Sequence, residues 1–125
     1  MNIFLIVITG APGTGKTTIA KSLSKSLGIG YYSKDMFKEV LFDSLGMGDN
    51  NWSKKLSRAS TDLLFKMVEH TIAQGRSIIV ESNFYKDVDR QRFGDFLGID
   101  SLNVIEIYCE TKKSLLYKRI LNRDK

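Results

Sequence analysis

The stretch GAPGTGKTT, Gly10 to Thr18, follows an uninterrupted apolar run from Ile3 to Ile8. That junction constrains the fold more than any other feature of the chain. A β-branched run with no polar alternation is what a strand buried on both faces requires. Beyond the glycines, Thr17 to Leu27 places Ile19, Ala20, Leu23 and Leu27 on one helical face. A buried strand therefore passes through a glycine-rich turn directly into a helix.

Gly10-Ala11-Pro12-Gly13-Thr14-Gly15-Lys16-Thr17 matches the phosphate-binding pattern G-x-x-x-x-G-K-[ST] at every fixed position. Glycines let the backbone amides turn inward where side chains would clash, and the amides form a nest for phosphate oxygens. The following helix aims its positive N-terminal end at the same place. Lys16 adds a point charge for the β- and γ-phosphates, and the Thr17 hydroxyl is suited to Mg²⁺. Residues 10–18, Thr18 included, are thus the expected binding segment for a nucleoside triphosphate, with ATP and Mg²⁺ as the ligands.

The rest of the chain alternates strand and helix. After Gly28 and Gly30, Tyr31-Tyr32 predicts a short strand. Ser33 is placed to cap a helix from Lys34 to Leu45. A Gly/Asn-rich loop precedes a long helix from about Ser53 to Gln74, closed by Gly75. Ser77 to Glu81 predicts a third strand, Val88 to Leu97 a helix and Asn103 to Tyr108 a fourth strand. Thr111 is read as the cap of a terminal helix carrying Leu115, Leu116 and Leu121. Four strands alternating with helices predict an α/β fold with a mostly parallel sheet. The 125 residues fit one domain, with no internal repeat or low-complexity tract.

In an open parallel sheet, ligands gather at the C-terminal ends of the strands. Asp35, after the second strand, is a candidate general base for an attacking hydroxyl, or simply a helix N-terminal carboxylate. Glu81 ends the third strand, where an acid can organise Mg²⁺; the alternative is a strand-end residue reaching solvent. The two acids can exchange roles. Phe84, Tyr85 and Trp52 are candidate pocket walls or plain packing, and Arg90 and Arg92 candidate contacts or exposed helix residues. Net charge is +5. Lys112, Lys113, Lys118, Arg119, Arg123 and Lys125, opposed only by Asp124, account for all of it. Such concentration suggests a local anionic target rather than a general nucleic-acid coat, or simply a solvated helix face. Arg119 and Arg123, spaced i, i+4, would share one face of the expected terminal helix and either meet a transferring phosphoryl group or stand exposed on its polar side. The single cysteine, Cys109, ends an apolar run and reads as a buried, inert thiol in a reducing compartment. With no signal-peptide pattern and no stretch of transmembrane length, a cytoplasmic location and no membrane partner are expected.

GAPGTGKTTIAKSL, YYSKDMFKEVLFDSLG, IIVESNFY and the ending YCETKKSLLYKRILNRDK together resemble the AAA_33-type kinases. These are P-loop NTPases near the polynucleotide 5′-hydroxyl kinases, chloramphenicol phosphotransferases and zeta toxins. The likeness spans essentially the whole chain. It implies a three-layer P-loop NTPase fold with parallel strand order 2-3-1-4, and transfer of the ATP γ-phosphate to a hydroxyl. Lys16, Asp35, Glu81, Arg119 and Arg123 then take catalytic roles, with Thr17 and Glu81 at the metal. The two arginines match the start of the family's mobile lid. Family members continue beyond it with a fifth strand and a helix, whereas this chain stops at Lys125. The resemblance therefore implies a C-terminally incomplete domain with the fourth strand as an edge, Glu106 near solvent, and a homo-oligomer formed through that edge. The acceptor is an unidentified hydroxyl compound: a small molecule, a nucleoside or, less favoured, a nucleic-acid end. The alternative is a nucleotide-binding module without productive transfer.

Overall fold

The apolar run Ile3 to Ile8 becomes part of the central strand of a five-stranded sheet. The computed structural model describes residues 2–11, 13–83, 87–110 and 116–120. In chain order the elements are β1 (Ile3–Gly10), α1 (Lys16–Leu27), β2 (Tyr31–Ser33), α2 (Lys34–Leu45), α3 (Asn50–Ala73), β3 (Ile78–Glu81), α4 (Asp87–Gly94), β4 (Leu102–Cys109) and β5 (Leu116–Ile120). The sheet order is β2-β3-β1-β4-β5. The first four strands are mutually parallel in the expected order 2-3-1-4, and β5 runs antiparallel beside β4.

Strand periodicity sorts the side chains into two cores. Leu5 and Val7 of β1, Ile78 and Val80 of β3, and Leu102 and Val104 of β4 pack with Leu64, Phe65, Val68 and Ile72 of α3 and with Phe93 of α4. On the other face Ile6, Ile8, Ile79, Ile107 and Cys109 pack with Ala20 of α1, flanked by Ile19, Leu23 and Tyr31. Both faces of the central strands are covered, which is why β1 carries no polar residue before Thr9. Arg92 helps fasten α4 to α3, pairing with Asp62 at 2.8 Å and lying 4.0 Å from the centroid of the Phe65 ring.

The chain departs from expectation after β4. Residues 116–120, expected within a terminal helix, form a strand whose register sets Cys109 against Leu116, Glu106 against Arg119 and Ile105 against Ile120. The reason is the open flank of β4: its unpaired backbone groups are satisfied by a strand more completely than by a helix passing over them. β4 is therefore not the sheet edge, and the edge expected to accept a second copy is occupied by the chain's own β5. Glu106, expected near solvent, is only 6% exposed.

Candidate functional site

The phosphate loop runs from the end of β1 to the start of α1, and its local geometry follows from its glycines. Gly10 has φ of 144°, and a Cβ there would collide with the Cys109 carbonyl oxygen on neighbouring β4. Gly15, with φ of 92°, is the residue before α1 and offers no side-chain cap. The other two capped starts differ. Ser33 accepts from the Met36 amide at the start of α2, and Asp49 from the Trp52 amide at the start of α3. Helix α1 also has no acid in its first turn. Of the starts of α1, α2 and α3, that of α1 thus leaves its N-terminal amides available to an anion. Thr14, itself buried, ties the loop back on itself by donating to the Ala11 carbonyl at 2.6 Å. Pro12 lies outside the described residues. Thr17 and Thr18 are exposed in the first turn of α1.

The parallel register brings the strand ends together. Ile8 is opposite Glu81, and Glu81 is opposite Ser33. The end of β3 therefore lies between the entrance to the phosphate loop and the cap of α2. Glu81 belongs to the α1 face and is 5% exposed, so the expectation of a carboxylate simply reaching solvent does not describe it. A buried carboxylate needs donors, and it has them. Oε1 accepts from the Thr17 hydroxyl at 3.3 Å and from the Tyr31 hydroxyl at 3.2 Å. The Lys16 ammonium donates to Asn83 Oδ1, just past β3. Asp35 is exposed in the first turn of α2, two residues beyond the Ser33 that faces Glu81.

Electrostatics match this layout. Burial pushes the Tyr31 hydroxyl above the ordinary phenol range, and the Glu81 charge and the hydrogen bond to it push further. Tyr31 is therefore a protonated donor at neutral pH. Burial likewise raises the Cys109 thiol, with Lys16 opposing. The thiol is buried, in keeping with its reading as inert.

Thr17 and Glu81 supply two oxygen donors side by side. Among the described residues no cluster of three or more His, Cys, Asp or Glu could hold a metal unaided. Mg²⁺ fits such a sparse set, because it keeps several waters and takes phosphate oxygens as ligands. A hydroxyl that offers a lone pair to a cation must direct its proton elsewhere, and Glu81 Oε1 already accepts it.

The other expected participants lie elsewhere in the fold or outside the described residues. Arg119 lies in β5, so it does not share a helical face with a residue four positions on. Its backbone is opposite Glu106, three strand residues, or about 10 Å, before the Cys109 that faces Gly10. Arg123, Phe84 and Tyr85 lie outside the described residues, as does the Arg90 side chain. Trp52 donates from its indole nitrogen to the Gly46 carbonyl at 2.8 Å and packs on Gly48, so it buttresses its own loop. Two side chains not singled out from sequence, Tyr31 and Asn83, join the cluster. Asn83 was signalled by its place two residues after a strand-end acid. Tyr31 was hidden, because only the sheet register tells which of two adjacent tyrosines shares a face with Glu81. Among the described residues no helix is long and apolar enough to cross a membrane.

Comparison with known proteins supports this architecture. The sequence profile of the AAA_33 family, an AAA domain, matches residues 5–125. A protein from Dictyostelium discoideum, provisionally named a gluconokinase, is 26% identical over 124 residues, covering 95% of this chain and 60% of that protein. A crystal structure from Chloroflexus aurantiacus, provisionally named a kinase, superposes with a TM-score of 0.79 at 38% identity, covering 86% of this chain and 59% of that one. The APS kinase of Mycobacterium tuberculosis shares the fold, with a TM-score of 0.59 at 16% identity over 90% of this chain and 79% of its own. The chain thus spans about three fifths of the first two relatives, 60% and 59% of their lengths.

Proposed function

We propose that this chain, which belongs to the AAA_33 family of AAA domains, is an ATP-dependent kinase domain that transfers the γ-phosphate to a hydroxyl of a small acceptor. The observation that carries the reading is the contact between Thr17 and Glu81 at 3.3 Å beside the open N-terminus of α1. It sets a metal-competent hydroxyl and carboxylate against a nest of backbone amides, the combination phosphoryl transfer needs. The kinase names borne by the relatives support the same class, and the gluconokinase name favours a polyhydroxylated acceptor.

In this reading residues 10–18 hold the triphosphate, and Lys16 leaves Asn83 for the β- and γ-phosphate oxygens. Mg²⁺, when bound at Thr17 and Glu81, supplies charge neutralisation across the phosphates. Glu81 is committed to the Thr17 and Tyr31 hydroxyls, so Asp35, exposed at the same end of the sheet, takes the part of base. The acceptor oxygen forms its bond to the γ-phosphorus as the bond to the β-γ bridging oxygen breaks; ADP leaves, and the acceptor proton passes to the Asp35 carboxylate. Arg123 lies outside the described residues; Arg119 carries no role in this assignment, because the β5 register sets its backbone about 10 Å short of the strand end that faces the loop. That same observation favours the second reading, nucleotide binding without transfer.

The test is ADP release and product formation across a panel of polyols, sugar acids and nucleosides. Wild type is expected to phosphorylate at least one class. Lys16→Ala should lose about 100-fold or more of the rate, an effect on the scale of removing one preorganised charge-stabilising group. Full activity in Lys16→Ala sinks the kinase reading. Tight ATP binding without any product favours the second.

A further inference from the structure

Glu81 is buried at the end of a largely apolar face that carries Ile6, Ile8, Ile79 and Ile107. A buried carboxylate is positioned by its donors, and of the two among the described residues one is unexpected. Tyr31 belongs to β2, where its backbone is opposite Ile79, not Glu81. Its ring therefore reaches along the strand direction to the diagonal neighbour, a span aromatic side chains cover, and donates to Oε1 at 3.2 Å. The Thr17 hydroxyl donates to the same oxygen. Two hydroxyls, one from the edge strand β2 and one from α1, thus converge on a single carboxylate oxygen. Tyr32, one residue on, packs into the opposite core.

We infer that the Tyr31 hydroxyl is a positioning group, which holds the Glu81 carboxylate against Thr17 and thereby sets how strongly Mg²⁺ is held at the phosphate loop. The inference rests on the reading of Thr17 and Glu81 as the metal-organising pair. Hydrogen-bond partners behind a metal-organising carboxylate commonly control affinity in this way. The ring of Tyr31 packs on the α1 face whether or not the hydroxyl is present, so Tyr31→Phe removes the donor and leaves the packing.

The experiment is calorimetric binding of a non-hydrolysable ATP analogue, in EDTA and across a Mg²⁺ titration, so that no turnover is required. Tyr31→Phe is expected to bind the analogue in EDTA as wild type does, and to need about tenfold more Mg²⁺ for the metal-dependent gain. Tyr32→Phe should leave both values unchanged. In a Glu81→Gln background the Tyr31→Phe change should add nothing, since the carboxylate it orients is gone. A Mg²⁺ requirement in Tyr31→Phe equal to that of wild type overturns the inference. So does equal weakening in EDTA and in Mg²⁺, which would mark a general structural role. Wild-type binding indifferent to Mg²⁺ overturns both this inference and the metal reading beneath it. A tenfold shift in a protein that phosphorylates nothing upholds the inference and removes the kinase reading instead.

Discussion

At Gly10 the backbone leaves β1 with φ of 144°, and a Cβ would collide with the carbonyl oxygen of Cys109. The obstacle is main chain in a central strand pair, not a side-chain tip that can swing away. Gly10→Ala should therefore cost stability through both the disfavoured backbone conformation and the displaced ladder, about 2 kcal/mol or more. A drop in the urea midpoint with unchanged slope measures it; an unshifted midpoint would mean that the loop relaxes freely. By contrast a Cβ at Gly13 or Gly15 meets nothing within 4 Å. Those glycines answer to backbone conformation and to the phosphate. At this scale much was legible beforehand. The fixed positions of the loop announce the fold of the turn, and Glu81 announced itself as an acid ending an apolar strand. Tyr31 did not, because its relevance is a diagonal contact across two strands separated by 50 positions in sequence.

Helix α2 shows how an element places a residue it does not contain in any special geometry. Its start is fixed by Ser33, whose hydroxyl accepts from the Met36 amide at 3.2 Å, and Ser33 is itself the last residue of β2 opposite Glu81. The cap thus joins two tasks: it begins the helix and sets Asp35 at the strand ends. Ser33→Ala should lower global stability by about 1 kcal/mol. On the proposed function it should also lower kcat more than it raises the KM for ATP, since the phosphate loop is untouched. Parallel loss of ATP affinity would instead tie Ser33 to the nucleotide. Helix limits of this kind are readable because capping chemistry is local: the Ser33 cap places the helix at about Lys34 to Leu45, and α2 spans Lys34–Leu45. The terminal segment was not readable. Leu115, Leu116 and Leu121 satisfy a helical pattern, yet Leu-Tyr-Lys-Arg-Ile serves equally as a strand. The decision came from the unfilled side of β4, which no window of local sequence contains.

In the whole molecule, the four parallel strands follow from the alternation of elements, and the two cores follow from which residues alternate along β1, β3 and β4. β5 is the exception, held to the sheet through β4 alone, and its contribution can be isolated. In an antiparallel pair, consecutive residues alternate between those that exchange bonds with the partner and those that do not. Of the neighbours Lys118 and Arg119, opposite Ile107 and Glu106, one therefore donates its amide to β4 and the other directs it away. Proline removes the donor and fixes the backbone, so the two single variants, Lys118→Pro and Arg119→Pro, should differ sharply. The disruptive one is expected to speed amide exchange along residues 105–109 of β4, while β3, two strands away, keeps wild-type protection. It should also raise concentration-dependent association, because it reopens a long apolar strand edge. Exchange mass spectrometry of both variants, with light scattering over a range of concentrations, reads the two effects together. If neither proline alters β4, the sheet ends at β4 in solution, and the buried state of Glu106 must be maintained from the α3 and α4 side of the molecule rather than by the strand beside it.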